Sequence, residues 1–75
     1  MIGVGIIGYG YWGPNLVRNF YEQAGCKVIA VSDLRQNQLD KARARYPTIE
    51  TTTDYRDLLR NPQIDAVAIA TPVST

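Results

Sequence analysis

"GVGIIGYGYWGPNLVRNF", residues 3–20, sets Gly8, Gly10 and Gly13 in a G-x-G-x-x-G spacing between an apolar run and an amphipathic one. The glycines alone do not separate a phosphate cradle from an aromatic-rich turn, so their surroundings decide. "GVGII" is short, nearly all apolar and ended by glycine, the pattern of a strand buried on both faces of a parallel sheet. After Gly13, Leu16, Val17, Phe20 and Ala24 recur at helical spacing with Arg18, Asn19, Glu22 and Gln23 between them. Pro14 suits a first helical turn, where its missing N–H has no intrahelical partner to lose, and Gly25 is placed to end the helix.

A strand, glycine turn and helix in that order form an anion site. In such a unit Gly8 allows the tight turn, Gly10 lets a pyrophosphate approach the backbone, and Gly13 lets the helix pack on the strand. The free N–H groups of the first helical turn, at the positive end of the helix dipole, favour the phosphates. Tyr11 and Trp12 do not interfere, because the backbone makes the contacts. The Trp12 ring has three open readings: covering a cofactor, packing on a neighbouring segment, or partial exposure.

The fingerprint needs a second half, an acid ending the next strand to accept hydrogen bonds from a ribose diol. "KVIAVSD", residues 27–33, is rich in β-branched residues and ends in Asp33, twenty positions after Gly13. A nucleotide site follows; the competing bland reading is a glycine turn needed for packing, with Asp33 as a helix cap. A carboxylate at the ribose hydroxyls repels a 2′-phosphate and favours NAD over NADP. Arg35 complicates that preference: it stands where a small polar helix cap is usual, and it can stack on adenine, pair with a 2′-phosphate, or be a solvated surface arginine.

Further along, a second helix is predicted from about Gln36 to Tyr46, with Leu39, Ala42 and Tyr46 on one face and Pro47 closing it. "TIETTT" reads as a short, polar edge strand. A small helix with Tyr55, Leu58 and Leu59 follows, capped by Asp54 and ended by Asn61 and Pro62. "IDAVAIA", residues 64–70, repeats the buried-strand pattern and leads into "TPVST". The fold class is therefore α/β, a partial doubly wound Rossmann fold whose right-handed crossovers give a parallel sheet of about four strands in the order 3-2-1-4. Thr71 and Pro72 fall at the crevice outside the strand ends, where ligands bind in such sheets. A complete doubly wound domain has about six strands. Residues 1–75 are thus expected to be the amino-terminal part of a dinucleotide-binding domain, lacking its second half and any substrate domain.

Composition narrows the classes. A chain of 75 residues with net charge +1 and no charge block gives no support to nucleic-acid or membrane partners. One cysteine, Cys26, and no histidine argue against disulfides and zinc and for a reducing, cytoplasmic setting. Cys26 reads as a structural thiol, and Tyr46 and Tyr55 as helix-face packing. No apolar run is long enough for a membrane span.

"VGIIGYGYWGPNLVRNF", "VSDLR", "YPTIETTTDYRDLL" and "IDAVAIATPVST" together resemble the amino-terminal part of the glucose-fructose oxidoreductase and inositol dehydrogenase family, Gfo/Idh/MocA, over the whole chain. Within it, "GYGYWGPN" is most similar to members that oxidise sugar nucleotides, such as UDP-N-acetyl-sugar 3-dehydrogenases. The resemblance implies that Gly8, Gly10, Tyr11, Trp12 and Gly13 surround the pyrophosphate of NAD. It implies that Asp33 and Arg35 flank the adenosine, and that Thr71 and Pro72 lie toward the nicotinamide ribose. It also implies a sugar or sugar-nucleotide substrate. The family's catalytic motifs, a Glu-Lys-Pro and a later Asp/His pair, are not in this sequence, so no catalytic residue is assigned and the chain is expected to be inactive alone.

Two other functions use the same glycine turn and acid. One is an S-adenosylmethionine-dependent methyltransferase, although that class usually leads its turn with an acidic residue where this chain has "GII". The other is a non-catalytic module that senses NAD. The apolar last strand is further expected to expose an edge that invites pairing with another copy.

Overall fold

A computed structural model describes residues 1–10 and 13–70. Its elements are β1 (Ile2–Ile7), α1 (Gly13–Glu22), β2 (Cys26–Ser32), α2 (Gln36–Arg45), β3 (Glu50–Thr52), α3 (Arg56–Arg60) and β4 (Ala66–Ile69). The strands form one sheet in the order β3-β2-β1-β4, every pairing parallel, as the crossover rule requires. Polar β3 takes one edge and β4 the other.

Alternation along β1 explains the layers. Val4 and Ile6 join Val17 of α1 and Leu39 and Ala42 of α2 in one buried cluster, while Gly3 and Gly5 turn to the opposite face. There a Cβ on Gly5 would stand 2.9 Å from Leu58 of α3, and one on Gly3 would collide with the Gln63 carbonyl. The glycines of "GVGII" therefore let α3 and the loop after it lie directly on the strand. Tyr46 is buried and its ring lies 4.7 Å from that of Tyr21 of α1, centroid to centroid, so the packing role read for it holds.

Several element ends differ from the sequence reading by a residue or two, and two of them have a local cause. The α1 pattern runs on to Ala24, but the helix stops at Glu22 and Ala24 is exposed. The chain leaves the helix through three-residue bonds, Gln23 N to Phe20 O and Cys26 N to Gln23 O, and through Gly25 at φ +89°, a left-handed conformation that glycine tolerates best. At the other end, β4 begins at Ala66 rather than Ile64. Asp65 donates its N–H to Gly3 O at 2.7 Å and accepts the Gly3 N–H on Oδ2 at 2.8 Å, so a side chain supplies what would be a ladder bond. The cap assigned to Asp54 is present: its Oδ1 accepts the Arg56 N–H at 3.0 Å at the start of α3.

Candidate functional site

The carboxyl ends of β1, β2 and β4 converge on one cleft, and each is followed by a buried residue: Gly8, Asp33 and Ala70. Gly8 has φ +96° and donates its N–H to Ser32 O at 2.6 Å, turning the chain off β1 across the end of β2. A Cβ on Gly13 would lie 2.5 Å from the Gly8 carbonyl oxygen, so the start of α1 rests on the exit of β1 only because position 13 has no side chain.

Gly10 is different in kind. Its φ is not positive, and among the described residues a Cβ there would meet only the Arg35 guanidinium, 2.7 Å away at the end of a flexible chain. Among the described residues, neither backbone conformation nor rigid packing requires glycine at this position. The absent side chain leaves a bare backbone facing the cleft, which suits a ligand that must approach closely. No acidic side chain sits in the first turn of α1 to occupy the positive end of the helix.

Asp33 does structural work that the sequence did not reveal. It is 8% exposed, its Oδ2 accepts the Tyr9 N–H at 2.8 Å, and its Oδ1 accepts the Arg35 N–H at 2.8 Å and the Arg35 Nε at 3.3 Å. Burial alone pushes the carboxyl pKa up, but these backbone bonds and the guanidinium outweigh it and hold the group below the ordinary value. The acid thus fastens the glycine turn of β1 to the end of β2. Tyr9, between Gly8 and Gly10, buries its ring in the core beside Tyr46, and burial first, then Tyr46, raises its phenol pKa against the opposing Arg45, keeping it neutral.

Much of the cleft's lining besides the glycines is apolar. The cleft has a volume of about 600 Å³, and Leu34, Thr53, Tyr55 and Ala70 line it along with Gly8, Gly10, Asp33 and Arg35. Leu34 is 88% exposed and Tyr55 50%, which corrects the assignment of Tyr55 to helix-face packing: it stands at the rim of the cleft. A leucine directly after a strand-ending acid, where loops are usually polar, was the available signal for this lining. Of the sequence-predicted residues, Gly8, Gly10, Asp33 and Arg35 line the cleft and Gly13 supports it. Tyr11, Trp12, Thr71 and Pro72 lie outside the described residues.

A bare glycine turn at a helix start, a buried acid ending the neighbouring strand and a concave apolar wall are the parts of a dinucleotide site. The family model described as the Gfo/Idh/MocA oxidoreductase family, NAD-binding Rossmann fold, matches residues 2–75. The chain belongs to this family.

Proteins with several different names are similar to this stretch. An uncharacterised oxidoreductase, YrbE, of Bacillus subtilis is 36% identical over 73 residues, 97% of this chain and 21% of the relative. A glycosyl hydrolase family 109 protein of Shewanella putrefaciens is 37% identical over 81 residues, 96% of this chain and 18% of its own length. Scyllo-inositol dehydrogenase of Lactobacillus casei, solved with NAD(H) and scyllo-inositol, superposes with a TM-score of 0.83 at 29% identity, over 96% of this chain and 22% of that one. The chain spans about a fifth of the length of the curated relatives it matches.

Proposed function

We propose that residues 1–75 form the amino-terminal part of a dinucleotide-binding domain that holds NAD(H) for a sugar-directed oxidoreductase. The observation that carries this reading is Gly10: a glycine that no contact among the described residues requires, facing a cleft between a helix start and a buried carboxylate. In this arrangement the backbone around Gly8, Gly10 and Gly13, together with Tyr11 and Trp12, surrounds the pyrophosphate. Asp33 accepts from the adenosine ribose through the lone pairs that its internal bonds leave over, and Arg35 lies beside it. Leu34 and Tyr55 offer apolar faces for adenine, and Thr71 and Pro72 extend toward the nicotinamide ribose.

The nicotinamide supplies the hydride chemistry, and the chain's own residues bind and orient it. Relatives that share this stretch are named as an oxidoreductase, a glycosyl hydrolase and an inositol dehydrogenase. That spread supports a division of labour in which this segment holds the cofactor and the reaction is decided elsewhere. The substrate of the complete protein is then a sugar or cyclitol hydroxyl, or a sugar nucleotide as the "GYGYWGPN" string suggests, and the chain alone does not turn over.

Calorimetric titration with NADH, NADPH and S-adenosylmethionine tests the reading. Saturable NADH binding with none of S-adenosylmethionine is expected. S-adenosylmethionine binding without NADH binding would overturn it in favour of a methyltransferase.

A further inference from the structure

Strand β3 is shorter than β2, the strand it joins. Glu50, Thr51 and Thr52 pair with Ala30, Val31 and Ser32, so among the described residues no strand lies opposite Cys26, Lys27, Val28 and Ile29 on that side of β2. Outside the strand ladders, no backbone bond among the described residues reaches Lys27, Val28 or Ile29. A cleft of about 700 Å³ runs along this bare edge and is lined in part by all four residues. Tyr21, whose ring lies against Tyr46, borders it in the α1 layer. Gln63, whose carbonyl lies against Gly3, borders it on the other face of the sheet. Alternation along β2 puts Lys27 and Ile29 on that second face and Val28, a core residue, on the first.

The complement of an unpaired strand edge is an extended chain, because another strand offers donors and acceptors at the same repeat. The gap ahead of β3 takes about four residues, roughly 13 Å of strand. Charge selects the occupant. Among the described residues the ion pairs are Arg35 with Asp33, Arg56 with Asp54 and Arg60 with Asp57, so neither Lys27 nor Glu50 is in one. Both line the cleft, Lys27 near the start of β2 and Glu50 beside Ala30, at the two ends of the gap. A second copy pairing through the same short edge would bring the two Lys27 side chains close together, and like charges across a strand pair are destabilising. A different strand, with an acid beside Lys27 and a base beside Glu50, answers both charges.

We propose that the first half of β2 is a docking edge for an extended peptide segment of a partner protein, which adds a short strand in line with β3 and carries an acidic residue at one end and a basic residue at the other. Main-chain bonds to the edge supply the affinity, and the alternating side chains of the segment supply the choice of partner. Those on one face meet Tyr21, and those on the other meet Ile29 and Gln63. The edge lies at the end of the sheet opposite the dinucleotide cleft, so peptide and dinucleotide bind independently.

The test is amide chemical-shift mapping of the 15N-labelled whole chain, with and without NADH, as two end-blocked peptides are added, Glu-Val-Thr-Val-Lys and Lys-Val-Thr-Val-Glu. For a given strand direction only one of them puts its acid beside Lys27. That one is expected to bind saturably, shifting Lys27, Val28 and Ile29 and sparing Gly8 and Gly10, with the same affinity when NADH is present. Alternate amides of a strand point to the same side, so N-methylation of the set that faces the edge should abolish binding and methylation of the other set should spare it. Lys27→Glu, at an exposed position, is expected to weaken the preferred peptide about 2- to 5-fold, the scale of one exposed charge pair, with circular dichroism checking that the fold is kept. No saturable shift with either peptide, equal binding of the two sequences, or binding that survives both methylations would overturn the proposal. Shifts at Lys27, Val28 and Ile29 on concentrating the chain without peptide would also overturn it, by giving the edge to a second copy.

Discussion

At the residue scale, the three glycines of one motif have three different reasons to be glycine. Gly8 is needed for its left-handed backbone, Gly13 because the Gly8 carbonyl lies where its side chain would go, and Gly10 for an opening toward the cleft. Substitution separates the last two. Gly13→Ala is expected to lower stability by about 1–3 kcal/mol, the usual range for overpacking a tight contact. Gly10→Ala, whose new methyl meets, among the described residues, only a movable guanidinium, should leave the urea midpoint nearly unchanged while weakening NADH binding. Parallel denaturation and titration of the two variants check this contrast. Asp33 adds a pH dependence. Its folded pKa lies below the ordinary 3.8, so the stability it confers is fully present above that value and disappears as pH falls through the lowered one. Asp33→Asn should therefore cost about 1–3 kcal/mol at neutral pH, the range for weakening buried bonds to a charged acceptor. The gap between variant and wild type should narrow in acid, read from urea midpoints across the pH range. The turn-forming and packing roles of Gly8 and Gly13 were legible in the spacing, since both depend on the local chain. The bond from Tyr9 N–H to Asp33 was not, because it joins residues 24 apart and exists only once the strands are in register.

Elements were legible where periodicity and punctuation agree. The face of α2 that carries Leu39, Ala42 and Tyr46 is buried as the spacing indicated, and the parallel pairing follows from short apolar runs alternating with helices. The reading went astray at ends, where a continuing pattern competes with a turn: α1 stops short of Ala24 because Gly25 turns the chain, and β4 starts late because the Asp65 side chain takes the Gly3 amide. The start of α2 shows a different tension. Arg35 is its N-cap residue, in extended conformation and with no side-chain capping bond, although serine, asparagine or aspartate would satisfy a free N–H there. Its side chain is 58% exposed, so its ion pair with Asp33 contributes little to stability. Arg35→Ser is accordingly expected to hold or raise stability by up to about 1 kcal/mol. Thermal unfolding of the variant beside the wild type measures this.

At the scale of the whole molecule, the sheet order was derivable from crossover handedness, and it places the glycine turn and the acid at adjacent strand ends. The rest of the cleft lining was not derivable. Leu34 and Tyr55 are brought in by loops whose angle to the sheet no local pattern encodes. Among the described residues β4 is the last strand of the sheet on its side, with Ile69 68% exposed and Leu59 of α3 exposed as well. An apolar strand edge in water invites a second strand, so the chain is expected to self-associate as concentration rises and Ile69→Lys to suppress this, as light scattering across a dilution series reports. Whether a dinucleotide is held at the convergence of β1, β2 and β4 is read from amide chemical-shift mapping of the 15N-labelled chain during NADH addition. Saturable shifts are expected at Gly8, Gly10, Gly13, Leu34 and Arg35, with little change at Gly3 or Lys27 at the opposite end of the strands. Shifts centred on that opposite end, or none at the glycine turn at saturating NADH, would contradict the assignment.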